Sequence, residues 1–368
     1  MDGIPVLSLF CGSGGLDLGF EDAGFRVPLA LDNDEAAVET YNWNRPTTES
    51  AALADLSAIS AEDVLGLWQA RQPKKPPIGI IGGPPCQSFS VSNVHRIADD
   101  PRSKLPLAYA KILKLFRREL GVRFFVFENV AGLANKPNTD SMTTFVEAFA
   151  DAGFSVTYFF LDAVEFGVPQ IRKRMFMVGF DSSTFSATAF SPPLGNGHRM
   201  TAREAIGGLV DPVLFQRGVK PRELGLHPNH WCLYPRSPKF KNGKLQAGKM
   251  LGRSFRMLSW DEPSWTVAYG HREVHVHPNG RRRLSIFEAM LLQAFPVSYE
   301  LRGSLSAQIR LVSDAVPPPV ARTLATSVRS VLAANDPELA KEQAFSNGHA
   351  TQLGLNGVHT FAPRSTRA

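Results

Sequence analysis

The chain is 368 residues long, 43% hydrophobic and 20% charged, with a net charge of +6; at roughly 150 residues per domain, about two domains with a full core are expected. No apolar run approaches the ~20 residues that cross a bilayer, and the N-terminus MDGIPVLSLF lacks a basic n-region, so neither a membrane span nor a signal peptide is expected. Cys11, Cys86 and Cys232 form no paired framework and no Cys-x-x-Cys metal spacing, which excludes a disulfide scaffold and points to a reducing, cytoplasmic setting.

Residues 1–180 alternate short apolar runs with helical patterns. PVLSLF (5–10) reads as a buried strand that breaks into the glycine-rich CGSGG, and VPLALD (27–32) as a second strand. Residues 34–44 read as a helix, IGIIGG (78–83) as a strand, and LPLAYAKILKLFRREL (105–120) as a helix whose basic end suits the dipole. RFFVFENV (123–130) is a strand, FVEAFADAGF (145–154) a helix with a glycine stop, and RMFMVGF (174–180) the last strand. Such alternation predicts an α/β fold with a mostly parallel, doubly wound sheet and helices on both faces.

From residue 181 the texture changes. Pro, Gly, Lys and Arg rise, and helical periodicity fades after a linker-like PPLGNG run (192–197). Residues 181–283 carry 16 Lys/Arg against 7 Asp/Glu, whereas 1–180 carry 17 against 21. The positive charge therefore sits in a second, irregular domain, where it would face phosphates or simply be solvated. EVHVH (273–277) alternates like a strand and puts His271, His275 and His277 on one face, either polar or metal-binding. SIFEAMLLQAF (285–295) is a helix with a capping box from Ser285 to Glu288, and residues 317–334 form a helix opened by prolines. The polar tail, 336–368, is expected to be poorly ordered. No internal repeat is evident.

Four stretches carry candidate chemistry. In LFCGSGGLDLGF (9–20) a strand enters a glycine turn and then a helix, which lets the backbone approach a negative ligand closely. The dinucleotide fingerprint would need a glycine at Asp17, so a nicotinamide cofactor is disfavoured. Asp32 ends the next strand about 20 residues on, where an acid can hold ribose hydroxyls; a helix N-cap is the plainer reading. In IIGGPPCQSFS (80–90), Cys86 follows two glycines and two prolines, as a small buried residue or as a nucleophile at the rim of a sheet. In FENV, Glu128 and Asn129 end an apolar strand, where ligands of parallel sheets bind, although a lone acid there is usually a cap or a surface group. In QIRKR, Gln170, Arg172 and Arg174 share one face if the segment is extended.

Taken in order, FCGSGG, GGPPCQSFS, FENV, QIRKR, RRLSIFEAMLLQAFP (282–296) and SDAVPPPVA (313–321) resemble the motifs of the C5-specific DNA cytosine methyltransferases of bacterial restriction-modification systems, over nearly all of 1–335. Two departures stand out. Ser313-Asp314 replaces the usual Gly-Asn, and Phe287 stands where an Arg is common; neither is expected to touch the chemistry.

The resemblance implies a Rossmann-like S-adenosylmethionine-dependent fold. Residues 1–180 would form the catalytic and cofactor domain, 181–283 the target-recognition domain, and 284–335 a return segment. Cys86 would attack C6 of a cytosine flipped out of double-stranded DNA, making C5 nucleophilic toward the methyl. Glu128 would bond the Watson–Crick edge, and Arg172, supported by Arg174, the base carbonyl. Pro85, Asn129 and Gln170 would be further contacts to the base. S-adenosyl-L-methionine would lie against Phe10, Gly12 and Gly14, with Asp32 on the ribose and Asp55 facing the adenine. The polar stretch 88–104 would close over the base. Lys239, Lys241, Lys244, Lys249, Arg253 and Arg256, interleaved with Trp231, Tyr234, Phe240 and Phe255, would meet the DNA, whereas Trp260 and Trp265 read as a small core. No metal and no obligate protein partner are expected, and the chain would act as a monomer on DNA. The rival readings are a tRNA cytosine-5 methyltransferase, whose Cys-Phe-Thr tripeptide is not found, and a catalytically inactive DNA-binding protein.

Overall fold

The computed structural model describes residues 3–72, 74–85, 104–216, 219–251, 255–266 and 275–340. Cys86, residues 88–103 of the expected closing stretch, Arg253, His271 and the tail beyond 340 lie outside the described residues.

The first half runs β1 (Ile4–Leu9), α1 (Gly15–Asp22), β2 (Phe25–Asp32), α2 (Glu35–Trp43), β3 (Ala51–Leu53), α3 (Ala61–Arg71), β4 (Gly79–Gly82), α4 (Leu105–Leu120), β5 (Phe124–Val130), α5 (Thr139–Asp151), β6 (Phe154–Asp162), β7 (Gln170–Ile171) and β8 (Lys173–Asp181). The second runs α6 (Ala202–Ile206), β9 (Val213–Leu214), β10 (Trp231–Cys232), β11 (Ser264–Trp265), α7 (Ile286–Leu291), α8 (Leu305–Asp314) and α9 (Pro318–Ala334). Seven strands form one sheet in the order β3-β2-β1-β4-β5-β8-β6. The ladders from β3 to β5 are parallel, and β8 is antiparallel to both β5 and β6.

Strand alternation builds a core on each face. Ile4, Val6, Phe124 and Val126 point to one side, under α1 and α9; Leu7, Leu9, Phe125 and Phe127 point to the other, under α3, α4 and α5. A third core joins α6, Trp231, Leu258, α7 and α8, so the segment after residue 283 packs partly against the irregular region and partly, through α9, against α1.

Several local expectations need correction. The helix read over 145–154 begins at Thr139, hidden by a polar first turn, and ends at Asp151 before Gly153 turns left-handed at φ 97. The helix read over 285–295 stops at Leu291; Ala294 turns left-handed at φ 56, and Phe295 precedes Pro296, which disfavours helical backbone there. Its capping box is present, with Ser285 Oγ accepting from the Glu288 amide at 3.0 Å and Glu288 Oε2 accepting from the Ser285 amide at 2.7 Å. The segment QIRKR is not one strand, because pairing breaks at Arg172 between β7 and β8, yet burial still alternates: Gln170 and Arg172 are buried, Ile171 and Lys173 exposed. His275 and His277 do not form a polar face. Both are buried, edge-on to Trp265 and Trp260 respectively, and burial pushes His275 down to about 4. Trp231 is likewise part of a core, not of a charged surface. No helix among the described residues is long and apolar enough to cross a membrane.

Candidate active site

Sheet register brings the separated motifs together. Leu31, Leu9, Gly82 and Phe127 form one level row across β2, β1, β4 and β5. The residues that follow these in the chain are Asp32, Phe10, Gly83 and Glu128, so four stretches far apart in the chain share one rim at the carboxyl ends. A cavity of about 420 Å³ opens there, lined by the β1–α1 turn, the ends of β2 and β5, residues 54–57, Gly82 to Pro85, and the end of α8 with the residues after it. That volume falls in the range of roughly 300–1,000 Å³ typical of small-molecule sites. Of the residues expected at a site, Phe10, Gly12, Asp32, Asp55, Pro85, Glu128 and Arg174 line it. Gly14, Asn129, Gln170 and Arg172 are not among the residues that line it.

The glycine turn is held open by its backbone. Phe10 (φ 56) and Gly12 (φ 53) are both left-handed, and a Cβ on Gly12 would meet nothing within 4 Å. Asp32 is not the cap of α2. That role belongs to Asp34, whose side chain accepts from the Ala36 amide at 3.0 Å. The Asp32 carboxylate instead accepts from the Gly12 amide at 2.8 Å and the Asp34 amide at 2.9 Å. The half-buried carboxylate lines the cavity, where it can accept from a ligand hydroxyl. Asp55 is exposed at the cavity mouth, where hydrogen bonds from Ser57 hold its carboxyl below the usual range. Open backbone, a half-buried diol acceptor and a second acid fit an adenosine-bearing methyl donor.

At the other end, Glu128 is 8% exposed and Arg174 Nε lies 3.2 Å from its Oε1. The antiparallel register pairs Val130 with Arg174, which places that arginine diagonally across from Glu128. Burial lifts the Glu128 carboxyl above the usual range, while Arg174 and Arg172 pull it back. A Cβ on Gly83 would lie 2.9 Å from Glu128 Oε2, so a side chain there would displace the carboxylate. Asn129 faces inward: its Nδ2 approaches the Pro84 carbonyl at 3.4 Å and ties β5 to the segment that leads to Cys86. Arg172 is 1% exposed and donates through Nη2 to the Ser313 carbonyl at 2.7 Å. Gln170 is fully buried where β7 pairs with β11.

Some cavity residues escaped the sequence reading. Asp17 is fully buried below the glycine turn, accepts from Tyr41 OH at 3.1 Å, and is pushed up to about 6 by burial. Arg310 on α8 reaches across to an ion pair with Asp34. Asp314, set aside above as remote from the chemistry, lines the cavity and interacts electrostatically with Glu128. That expectation is corrected: α8 delivers the Ser-Asp departure to the site. Phe287, the other departure, stacks on His227 at 4.0 Å in the third core, away from the cavity.

In the basic region Arg283 and Lys239 each lie 4.4 Å from the Phe255 ring, which is tilted against Phe240 at 5.6 Å. Lys241, Lys244 and Lys249 are exposed beside them.

The family model for C-5 cytosine-specific DNA methylases matches residues 4–330. Among curated relatives, the type II methyltransferase M.FnuDI of Fusobacterium nucleatum is 31% identical over 89% of this chain and 95% of its own length. M.MthTI of Methanothermobacter thermautotrophicus is 31% identical over 89% of this chain and 98% of its own. A solved DNA modification methyltransferase from an E. coli prophage shares the fold, with a TM-score of 0.71 at 24% identity over 90% of this chain and 99% of that one. With its sheet, its rim of motifs and these relatives, the chain belongs to the C-5 cytosine-specific DNA methylase family.

Proposed function

We propose that this DNA methyltransferase takes its methyl from S-adenosyl-L-methionine and places it on one cytosine of a specific short duplex sequence, protecting DNA in a restriction-modification system. The observation that carries this reading is the shared cavity: Pro85, the residue before Cys86, lines the same wall as Glu128 and Arg174, and Gly12, Asp32 and Asp55 line the rest. The donor supplies an electrophilic methyl when bound. Asp32 would accept from its ribose hydroxyls, Asp55 would face its adenine, and Phe10 and Gly12 would pack along it, with Gly14 shaping the turn from outside the lining.

The cytosine must leave the stack to reach such a cavity, at a cost of a few kcal/mol. Cys86 would then add to C6. A free thiol, with a pKa of about 8.5, is only a few per cent ionised at pH 7, so nearby positive charge would raise its thiolate fraction. Glu128, with its carboxyl lifted by burial, suits a group that donates to N3 and accepts from N4 of the base. Arg174 would hold that carboxyl in place, and Arg172, buried outside the cavity lining and donating to the Ser313 carbonyl, would steady the charge on the base carbonyl at longer range. Pro85 and Gln170 would shape the base pocket, while Asn129 fixes the loop before Cys86. We assign residues 1–180 to catalysis and donor binding, 181–283 to target recognition, 284–335 to the return segment and 336–368 to a tail, in a cytoplasmic monomer acting on DNA.

The experiment compares duplex DNA with tRNA as acceptors of labelled methyl, and bisulfite sequencing then locates the product. Label on cytosines of one recurring duplex sequence is the expected result. Label in tRNA and none in duplex DNA would overturn the proposal.

A further inference from the structure

We propose that Tyr299, in the loop between α7 and α8, is a positioning residue for the methyl donor: its hydroxyl holds the Ser13 carbonyl and so fixes the glycine turn against which the donor lies. The inference rests on the reading of the cavity as the site of S-adenosyl-L-methionine. Ser13 lines the cavity, whereas Tyr299 is not among the lining residues and acts through the turn. Residues Cys11 to Gly14 form a tight turn closed by the Gly14 amide on the Cys11 carbonyl at 2.8 Å. Its last peptide unit joins Ser13 to Gly14, and Gly14 stands at φ 77. Rotating that peptide plane by half a turn would reverse the sign of φ at Gly14, which glycine accepts at little cost. Such a flip would swap the directions of the Ser13 carbonyl and the Gly14 amide, and would reshape the wall that Gly12 and Ser13 present to the donor. The turn's own hydrogen bond holds the amide end. Tyr299 holds the carbonyl end, donating from its hydroxyl to the Ser13 carbonyl.

The hydroxyl is held in that role by its surroundings. The ring is 4% exposed and packs on Phe295 at 5.2 Å. Arg45 donates through Nη1 to the hydroxyl oxygen at 3.4 Å, which leaves the hydroxyl's own proton for Ser13. Arg45 is in turn locked by Glu21 at 2.7 Å and lies 3.9 Å over the Tyr41 ring. Burial pushes the phenol up to about 12, so it stays protonated, and a donor, at neutral pH. The backbone that carries the ring is pinned as well. The Tyr299 carbonyl accepts from His227 Nε2 at 3.0 Å. Glu300 exchanges two backbone hydrogen bonds with the Asn44 side chain, at 2.8 and 3.0 Å, and Leu301 exchanges two with the Asn229 side chain, at 2.8 and 2.9 Å. A Cβ on Gly14 would lie 3.1 Å from the Tyr299 oxygen, so the hydroxyl sits directly against the turn. Ser13 Oγ donates to the Leu311 carbonyl at 3.2 Å, which ties the same residue to α8. Phenylalanine would fill the same space as Tyr299, so the contribution of the hydroxyl is separable from that of the ring.

The test is Tyr299→Phe, which keeps the ring and removes the hydrogen bond. Calorimetric titration of wild type and variant with S-adenosyl-L-methionine reads the effect without turnover. One net hydrogen bond corresponds to a factor of about 5–10 in an equilibrium constant, so the dissociation constant for the donor should rise by about that factor in the variant. In steady-state methylation of duplex DNA, the KM for the donor should rise by the same factor, while kcat at saturating donor and the KM for DNA change by less than about twofold. Donor binding by the variant within about twofold of wild type would overturn the proposal. So would a loss in kcat with the donor KM unchanged, or a parallel weakening of donor and duplex binding with a lower melting temperature, which marks a merely structural role. A wild-type protein that binds no S-adenosyl-L-methionine would instead remove the donor reading, and this inference with it.

Discussion

Asp17 stores a pH-dependent penalty at the floor of the cavity. Its side chain is fully buried, Tyr41 OH donates to it at 3.1 Å, and the nearby Arg45 is paired with Glu21 at 2.7 Å. Burial is the largest influence, and the carboxyl rises from 3.8 to about 6. At about 1.4 kcal/mol per unit, the ionised form costs the folded state roughly 3 kcal/mol at pH 7.5. The sign follows from proton counting. Between pH 4 and 6 the folded chain keeps a proton that the unfolded chain has lost, so this group's contribution to stability falls as pH rises through that window. Asp17→Asn removes the charge and keeps the Tyr41 acceptor. The variant should therefore be more stable than wild type at pH 7.5, by up to about 3 kcal/mol, with the difference shrinking through pH 6 and vanishing below about 4. Urea unfolding at pH 4, 5, 6 and 7.5 measures it. A variant less stable at pH 7.5, or a difference that does not change with pH, would refute the reasoning.

Gly19→Ala on α1 would place a Cβ 2.4 Å from both Ala321 Cβ and the Arg322 backbone nitrogen of α9; overpacking of this kind costs about 1–3 kcal/mol, so thermal melting should fall by several degrees. A wild-type melting temperature would show that α9 does not need this close approach. Glu128→Gln keeps the shape but loses the titratable proton; turnover should drop about 100-fold or more while calorimetry finds donor binding unchanged, and a threefold loss or less would exclude the assigned role. Lys244→Ala should weaken binding to all duplex sequences alike and lower the salt dependence of log K by about 1, whereas an unaltered salt slope would place Lys244 off the DNA.

The parallel part of the sheet was legible because its strands are uninterrupted apolar runs buried on both faces, as in FFVF of β5. The edge strand β6 was missed. Tyr158 and Phe160 leave it partly exposed, and its nine residues do not alternate cleanly. Nothing in the order of the strands announces that β8 inserts between β5 and β6, yet that insertion brings Arg174 to Glu128. The candidate motifs could be read individually, because each ends a strand or fills a glycine turn. Their relations could not: the level row from Leu31 to Phe127 is a property of register. Asp314 was visible as an odd residue in a familiar stretch, and its place beside Glu128 emerged only when α8 was seen to line the cavity. The aromatic residues of the basic region were read as one set, but burial divides them, with Trp231 in a core and Tyr234 at 62% exposure.

In the proposed function Cys86 adds to C6 of the cytosine so that C5 can take the methyl. Duplex DNA treated with methyl-labelled donor and either wild type or Cys86→Ala, then digested to nucleosides and analysed by mass spectrometry, tests it most directly. Labelled 5-methylcytosine is expected from wild type and none from Cys86→Ala, which should still bind the duplex. Labelled 5-methylcytosine from Cys86→Ala, or wild-type label on any other base, would contradict it.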